Sequence, residues 1–299
     1  MRERRDGAEE LEELEIDLLL EAVLRRCGMD FRGYARVSLA RRVKNLLQTE
    51  GLGTISALQE RVLHHPDALA RLVEQIPVSV TSMFRDPSFF AAFRAQVVPQ
   101  LFTQPFVRVW HAGCATGEEA YSLAILLSEA GVYERCRIYA TDLSASAVAA
   151  AKAGIYRLDR MQEYTANYQQ AGGLGAFSDH YTANYDHAIM KASLKKNIVF
   201  AQHNLVTDHS FNEFNVILCR NVMIYFDEPL QQRVHGLLYQ SLRHFGVLGL
   251  GQRESLIGSV HARDFEILDP REQLYRRTGW RPREEERRRQ EASPPRSRR

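Results

Sequence analysis

Between Leu11 and Ile76 the apolar positions recur at spacings of three and four: Leu11, Leu14 and Leu18, then Leu39, Val43, Leu46 and Leu47, then Leu58 and Val62, then Leu69, Leu72, Val73 and Ile76. That period predicts amphipathic helices, and Gly28, Gly33, Gly51, Gly53 and Pro66 divide the stretch into about four of them. A helical domain is therefore expected over 11–77, behind a flexible end at 1–10. Pro77 breaks the pattern. Residues 78–84 read as extended or loop, and in D-P-S-F-F the side chain of Asp86 is placed to cap a helix that has Pro87 at its first position and runs to about Leu101. Residues 78–106 thus form a linker and helix leading into a second domain.

Beyond Phe106 the pattern changes to short apolar runs alternating with helical ones. Strands are expected at 107–112, 136–141, 198–203, 216–219 and 246–251, with helices ending near 129 and covering 144–153 and 229–245. Such alternation predicts a doubly wound, Rossmann-like α/β domain over 107–278, its mostly parallel sheet covered by helices on both faces. The interval 156–196 is rich in Tyr, Gly and Asn and predicts an inserted hairpin or small antiparallel unit. Residues 279–299 have almost no apolar side chain and are expected to be a disordered basic tail.

Charge narrows the partners. The formal net charge is +2, but 281–299 holds eight Arg against four Glu, which leaves the rest of the chain at −2 and gives no reason to expect a nucleic-acid partner. Cys27, Cys114, Cys136 and Cys219 are scattered, without a C-x-x-C pair or a histidine cluster at ligand spacing, so reduced thiols in a cytoplasmic protein and no metal are expected. No apolar run approaches the ~20 residues that would span a bilayer, and the charged start has no signal-peptide core.

The chemistry concentrates in V-R-V-W-H-A-G-C-A-T-G-E-E-A-Y-S, from Val107 to Ser122. A strand, a glycine turn and a helix start normally cradle a phosphate. Here Glu118 and Glu119 occupy the first turn and would repel one, and Gly113 followed by Gly117 does not fit G-x-G-x-x-G. Two carboxylates at a helix N-terminus suit a cationic, hydroxyl-bearing ligand, and S-adenosylmethionine is such a ligand. Asp142, ending R-I-Y-A-T-D, stands where related folds place an acid for ribose hydroxyls, or else caps the helix that begins near Ser144. Trp110, His111, His203 and His209 receive no role, since a lone histidine without a partner at ligand spacing is usually structural.

Several separated motifs line up with one family: V-T-S-M-F-R-D (80–86), A-T-G-E-E-A-Y-S (115–122), A-G-I-Y (153–156) and C-R-N-V-M-I-Y-F-D (219–227). Over nearly the whole chain, from about Leu11 to Arg277, the sequence resembles the chemotaxis-receptor glutamate methyltransferases called CheR. The resemblance implies an all-α N-terminal domain, a methyltransferase domain with a small β-insertion, and methyl transfer from S-adenosylmethionine to receptor glutamates. It implies cofactor contacts from Thr81, Arg85, Gly113, Glu119, Asp142, Asn204, Leu205, Arg220 and Asn221, with Arg85 and Tyr225 beside the reacting groups. Where the family commonly has Asn, this chain has Ser79, whose reach is shorter. The resemblance further implies that the N-terminal domain meets Glu-rich receptor helices, and Arg36, Arg41 and Lys44 offer a basic edge for that docking. Two rivals stay open: a methyltransferase of the same fold acting on another protein or a small carboxylic acid, and a noncatalytic regulator that binds the cofactor.

Overall fold

The computed structural model describes residues 2–77 and 80–278. Ser79 and the expected basic tail lie outside the described residues. Helices α1 (Arg2–Cys27), α2 (Arg36–Glu50), α3 (Ile55–His64) and α4 (Pro66–Gln75) make up the helical unit. Residues 2–10, expected as a flexible end, are the first turns of α1, consistent with their many helix-favouring Glu and Arg residues. The buried face of α1 also differs from expectation. Leu11, Leu14 and Leu18 are about half exposed, whereas Ile16, Leu19, Leu20 and Val23 are buried. The consecutive leucines at 18–20 allow two faces, and 16, 19, 20 and 23 make the wider stripe at helical spacing. Thr54 caps α3, its hydroxyl accepting from the Ala57 N–H at 3.1 Å.

The expected helix to Leu101 is two helices, α5 (Pro87–Gln96) and α6 (Val98–Leu101), broken at Val97 because Pro99 has no N–H to continue the ladder. Asp86 precedes α5 but does not cap it. Its backbone is left-handed (φ 56°), not the extended geometry a capping side chain needs, and its carboxylate accepts from Arg220 Nη2 at 2.9 Å instead.

The second domain runs β1 (Val107–Ala112), α7 (Glu118–Glu129), β2 (Cys136–Asp142), α8 (Ala145–Ala153), β3 (Ile155–Arg157), α9 (Met161–Gln170), β4 (Tyr181–Asn184), β5 (His187–Met190), α10 (Ala192–Lys195), β6 (Ile198–Gln202), β7 (Phe214–Cys219), α11 (Glu228–Ser241), β8 (Leu242–Leu250), β9 (Phe265–Asp269) and β10 (Leu274–Arg277). The main sheet has the order β6-β2-β1-β7-β8-β10-β9. Its first five strands are parallel, and β10 and β9 close the edge antiparallel. The hairpin of β9 and β10 was not anticipated, and the helix expected to reach residue 245 stops at Ser241, where β8 begins. The insertion is a three-stranded antiparallel sheet, β3-β5-β4, with α9 beside it.

Side chains on the central strands alternate between two cores, as period-two geometry requires. Val107, Val109, Ile138, Val216 and Leu218 join the core under α5, α7 and the insertion. Trp110, Ala112, Ile217 and Cys219 join the opposite core, which is continuous with the interior of the helical unit and α11. Among the described residues no helix is long and apolar enough to cross a membrane, and no cluster of three His, Cys, Asp or Glu residues is arranged to hold a metal ion.

Candidate active site at the carboxyl edge of the sheet

From β1 the chain moves outward to β2, whereas the strand on the other side of β1 is β7. The crevice outside the carboxyl ends of two such strands is where doubly wound folds bind ligands. A cavity of about 820 Å³, open to solvent, lies there.

The turn after β1 is held by backbone. Gly113 and Cys114 donate to the Thr141 carbonyl at 2.8 and 2.9 Å. Gly113 has φ 78°, and a Cβ there would lie 2.3 Å from Val222 Cγ2, so only glycine fits. Asp142 Oδ2 accepts from the Ala115 N–H at 2.8 Å and Oδ1 from the Ser144 N–H at 3.0 Å. The cap of α8 is Ser144, whose hydroxyl accepts from the Ala147 N–H at 3.1 Å. Asp142 therefore joins two turns and faces the cavity.

The neighbouring glutamates part ways. Glu118 turns from the cavity, accepting from Thr116 Oγ1 at 2.6 Å and Tyr164 Oη at 3.4 Å, and burial raises its pKa. Glu119 faces the cavity. Its Oε2 accepts from Arg220 Nη1 at 2.7 Å, while Oε1 stands 3.2 Å from His111 Nε2 and accepts no hydrogen bond within the protein. Burial opposes its ionisation, but Arg220 and then His111 and Arg85 overcome that cost and hold its pKa at about 2.

Arg220 follows the last residue of β7, with its side chain fully buried. It bridges Glu119 and Asp86, donates to the Arg85 carbonyl, and lies 3.8 Å from the Phe89 ring centroid. Its hydrogen bonds hold the 81–86 segment against α7, which brings Thr81 and Arg85 to the cavity wall. Arg85 Nη1 donates to the Val80 carbonyl at 3.0 Å. Asn221 follows in left-handed backbone (φ 59°) with its Oδ1 buried and unpartnered. Asn204 accepts from the Val206 N–H at 2.9 Å, and it and Leu205 line the far wall.

One wall comes from the helical unit. The Ala35 N–H donates to the Tyr225 carbonyl and the Asp227 N–H to the Gly33 carbonyl, both at 2.8 Å, and the Tyr34 and Phe226 rings meet edge to face at 4.9 Å. Tyr34 and Tyr225 both line the cavity, and the Arg42 guanidinium lies 5.8 Å from the Tyr225 ring centroid. Every anticipated cofactor-contact residue that is described, together with Tyr225, lines this one cavity. Arg36, Arg41 and Lys44 do not. The expected basic edge is also largely neutralised: Arg36 pairs with Asp17 and Lys44 with Glu12 at 2.7 Å, leaving Arg41 exposed without an ion pair among the described residues. His111 and His203 line the cavity although neither had been assigned a role; Tyr34, which lines it too, and Glu254, which lies outside the lining and accepts from the backbone of the Asn221–Ile224 loop, were not anticipated. No local spacing marks the first three. Glu254, in G-Q-R-E-S after β8, was detectable only as an acid just past a buried strand.

A family model described as the CheR methyltransferase SAM-binding domain matches residues 79–272, and one described as the CheR methyltransferase all-alpha domain matches residues 14–76. The chain belongs to the CheR methyltransferase family. It is 46% identical to the Pseudomonas putida protein Cher3 over 89% of this chain and 97% of that one. It is 28% identical to a chemotaxis protein methyltransferase of Listeria monocytogenes, covering 82% of this chain and 92% of the relative. Identity to chemotaxis protein methyltransferase 1 of Pseudomonas aeruginosa is also 28%, over 77% and 86%. The donor set fits the family's S-adenosylmethionine. An ionised Glu119 with an open oxygen suits the ammonium or sulfonium charge, Asp142 suits hydroxyls, and the unpartnered Asn221 Oδ1 is one more acceptor.

Proposed function

We propose that this CheR family member methylates glutamate side chains of methyl-accepting chemotaxis receptors, forming methyl esters that tune signalling adaptation. The observation that carries the proposal is the make-up of one cavity: Glu119 and Asp142 are its acidic residues, and Arg85 and Tyr225 line it with them. The relatives named as chemotaxis protein methyltransferases support the same pathway. When bound, S-adenosylmethionine supplies an electrophilic methyl group on a sulfonium. Thr81, Arg85, Gly113, Glu119, Asp142, Asn204, Leu205, Arg220 and Asn221 are the residues assigned to hold it, with Glu119 for its cationic end and Asp142 for its ribose.

A substrate glutamate is already ionised near neutral pH, so the reaction needs alignment and exclusion of water more than a general base. Arg85 and Tyr225 are assigned to orient the attacking carboxylate by charge and by hydrogen bond. Modification removes a negative charge from a packed receptor helix, which is how the ester reaches the signal. Docking is assigned to the α2 edge, with Arg41 leading. The Arg36 and Lys44 pairs are exposed and worth about 0–1 kcal/mol, so exchange of Asp17 and Glu12 for receptor carboxylates costs little.

The test is methyl incorporation from radiolabelled S-adenosylmethionine into receptor-containing membranes, followed by alkaline release of methanol. Alkali-labile label that depends on Arg85 and Tyr225 is the expected result. Cofactor binding without incorporation would move the substrate elsewhere or leave a noncatalytic role.

A further inference from the structure

Glu254 is almost fully buried, and among the described residues no cation pairs with it. Instead, five backbone N–H groups converge on its carboxylate. Oε1 accepts from Val222, Met223 and Ile224 at 2.8, 2.7 and 3.3 Å, and Oε2 accepts from Asn221 and Gly251 at 2.8 and 2.6 Å. The register of the sheet explains the meeting. Cys219 of β7 pairs with Leu250 of β8, so the chain just past β8 comes back beside the chain just past β7. A turn in which the Glu254 N–H donates to the Gly251 carbonyl at 2.8 Å points the side chain back under the β7 loop. At Gly251 a Cβ would lie 2.7 Å from Glu254 Oε2 and 2.8 Å from the Asn221 nitrogen, so this approach requires glycine.

The loop it holds carries functional groups. Asn221 lies in left-handed backbone, and a short 3₁₀ turn over Met223–Tyr225 follows. Successive N–H groups aimed at one point form an anion nest, and here the anion is part of the chain. Neutralising it would leave several buried N–H groups competing for fewer lone pairs, a costly state in a buried site.

We propose that Glu254 is a positioning residue whose carboxylate fixes the Asn221–Tyr225 backbone and so aims the Asn221 amide and the Tyr225 hydroxyl at the cavity. The proposal rests on the functional reading above for its kinetic arm only; its binding arm stands on the cavity. The experiment compares native enzyme, Glu254→Gln, Tyr225→Phe and the double variant in receptor methylation, with S-adenosylhomocysteine binding measured by calorimetry on each. Expected are a loss of about tenfold or more in affinity and of about 30-fold or more in kcat for Glu254→Gln, and little further loss, under about threefold, when Tyr225→Phe is added, because the hydroxyl is already misplaced. A full multiplicative Tyr225→Phe effect in the Glu254→Gln background, or native affinity in folded Glu254→Gln, would overturn the assignment. If Glu254→Gln does not fold, Glu254→Asp, which keeps the charge on a shorter stem, takes its place with the same criteria. If native enzyme binds the nucleoside but methylates no receptor, the substrate reading fails and the affinity comparison alone decides for or against Glu254.

Discussion

Glu119 and Glu254 are 4% and 5% exposed at the same edge of the same sheet, yet the chain gives their carboxylates different partners. Glu119 is held by the Arg220 guanidinium with His111 nearby, and its pKa falls to about 2. Glu254 is held by backbone N–H groups, which do not offset burial, and its pKa rises. A single strong partner leaves Glu119 one oxygen for a ligand, whereas five donors saturate Glu254 and leave it only the shape of a loop to control. On the assignments proposed above, one residue type would serve recognition beyond one strand and architecture beyond another two strands away.

The comparison breaks most visibly if the charge on Glu119 is removed. In Glu119→Ala the Arg220 guanidinium stays buried with only the partly exposed Asp86 as a counterion, and urea unfolding is expected to show a loss of about 3 kcal/mol or more. Next in size, Tyr225→Phe is expected to lower methyl transfer about 100-fold, about 2.7 kcal/mol in the barrier, while S-adenosylhomocysteine affinity stays within about threefold. A parallel loss of both would make Tyr225 a cofactor contact only. Gly251→Ala should force the Glu254 socket open and cost about 1–3 kcal/mol in stability, with affinity falling alongside.

The pH dependence sharpens the contrast further. Because the pKa of Glu119 is depressed on folding, its contribution to stability is present above its ordinary pKa of 4.5 and is lost as pH falls toward about 2. The raised pKa of Glu254 has the opposite sign: its contribution is full below 4.5 and fades as pH rises through the folded-state value. Denaturant titrations across pH should therefore show an acid-side slope that Glu119→Gln reduces, and a fall above pH 4.5 that Glu254→Gln removes. Smallest of all, Arg41→Glu is expected to raise the receptor KM about threefold at low salt, with the difference shrinking as salt is added.

What the sequence disclosed follows the same division. Residues that line the cavity sit at strand ends and helix starts; Gly113, Glu119 and Asp142 were legible there from local pattern, and Asn204 and Arg220 through the family resemblance. Residues that act by tertiary approach were not. Glu254 meets Asn221 only because β7 and β8 pair, and Tyr34 reaches the cavity only because the helical unit packs against the Phe226 segment. The basic edge of α2 looked free because its partners, Asp17 and Glu12, belong to another helix. In the fold, the parallel strands were readable as apolar runs. Helix 229–245 was overextended because S-L-R-H-F continues an acceptable helical pattern until sheet pairing with β7 and β10 takes it over from Leu242. Short edge strands such as β9, in which Glu266 and Ile267 are adjacent and both exposed, have no periodicity long enough to detect.

The most direct test of the cavity's assignment is calorimetric titration of native chain and Asp142→Asn with S-adenosylhomocysteine. Asp142 faces the cavity and Ser144, not Asp142, caps α8, but Asn offers one acceptor oxygen to the two N–H groups Asp142 holds, so circular dichroism and unfolding are compared first; in the folded variant binding is expected to weaken about tenfold or more. Absence of binding to native chain, or equal affinity in the two proteins, would contradict the placement of the cofactor at this edge of the sheet.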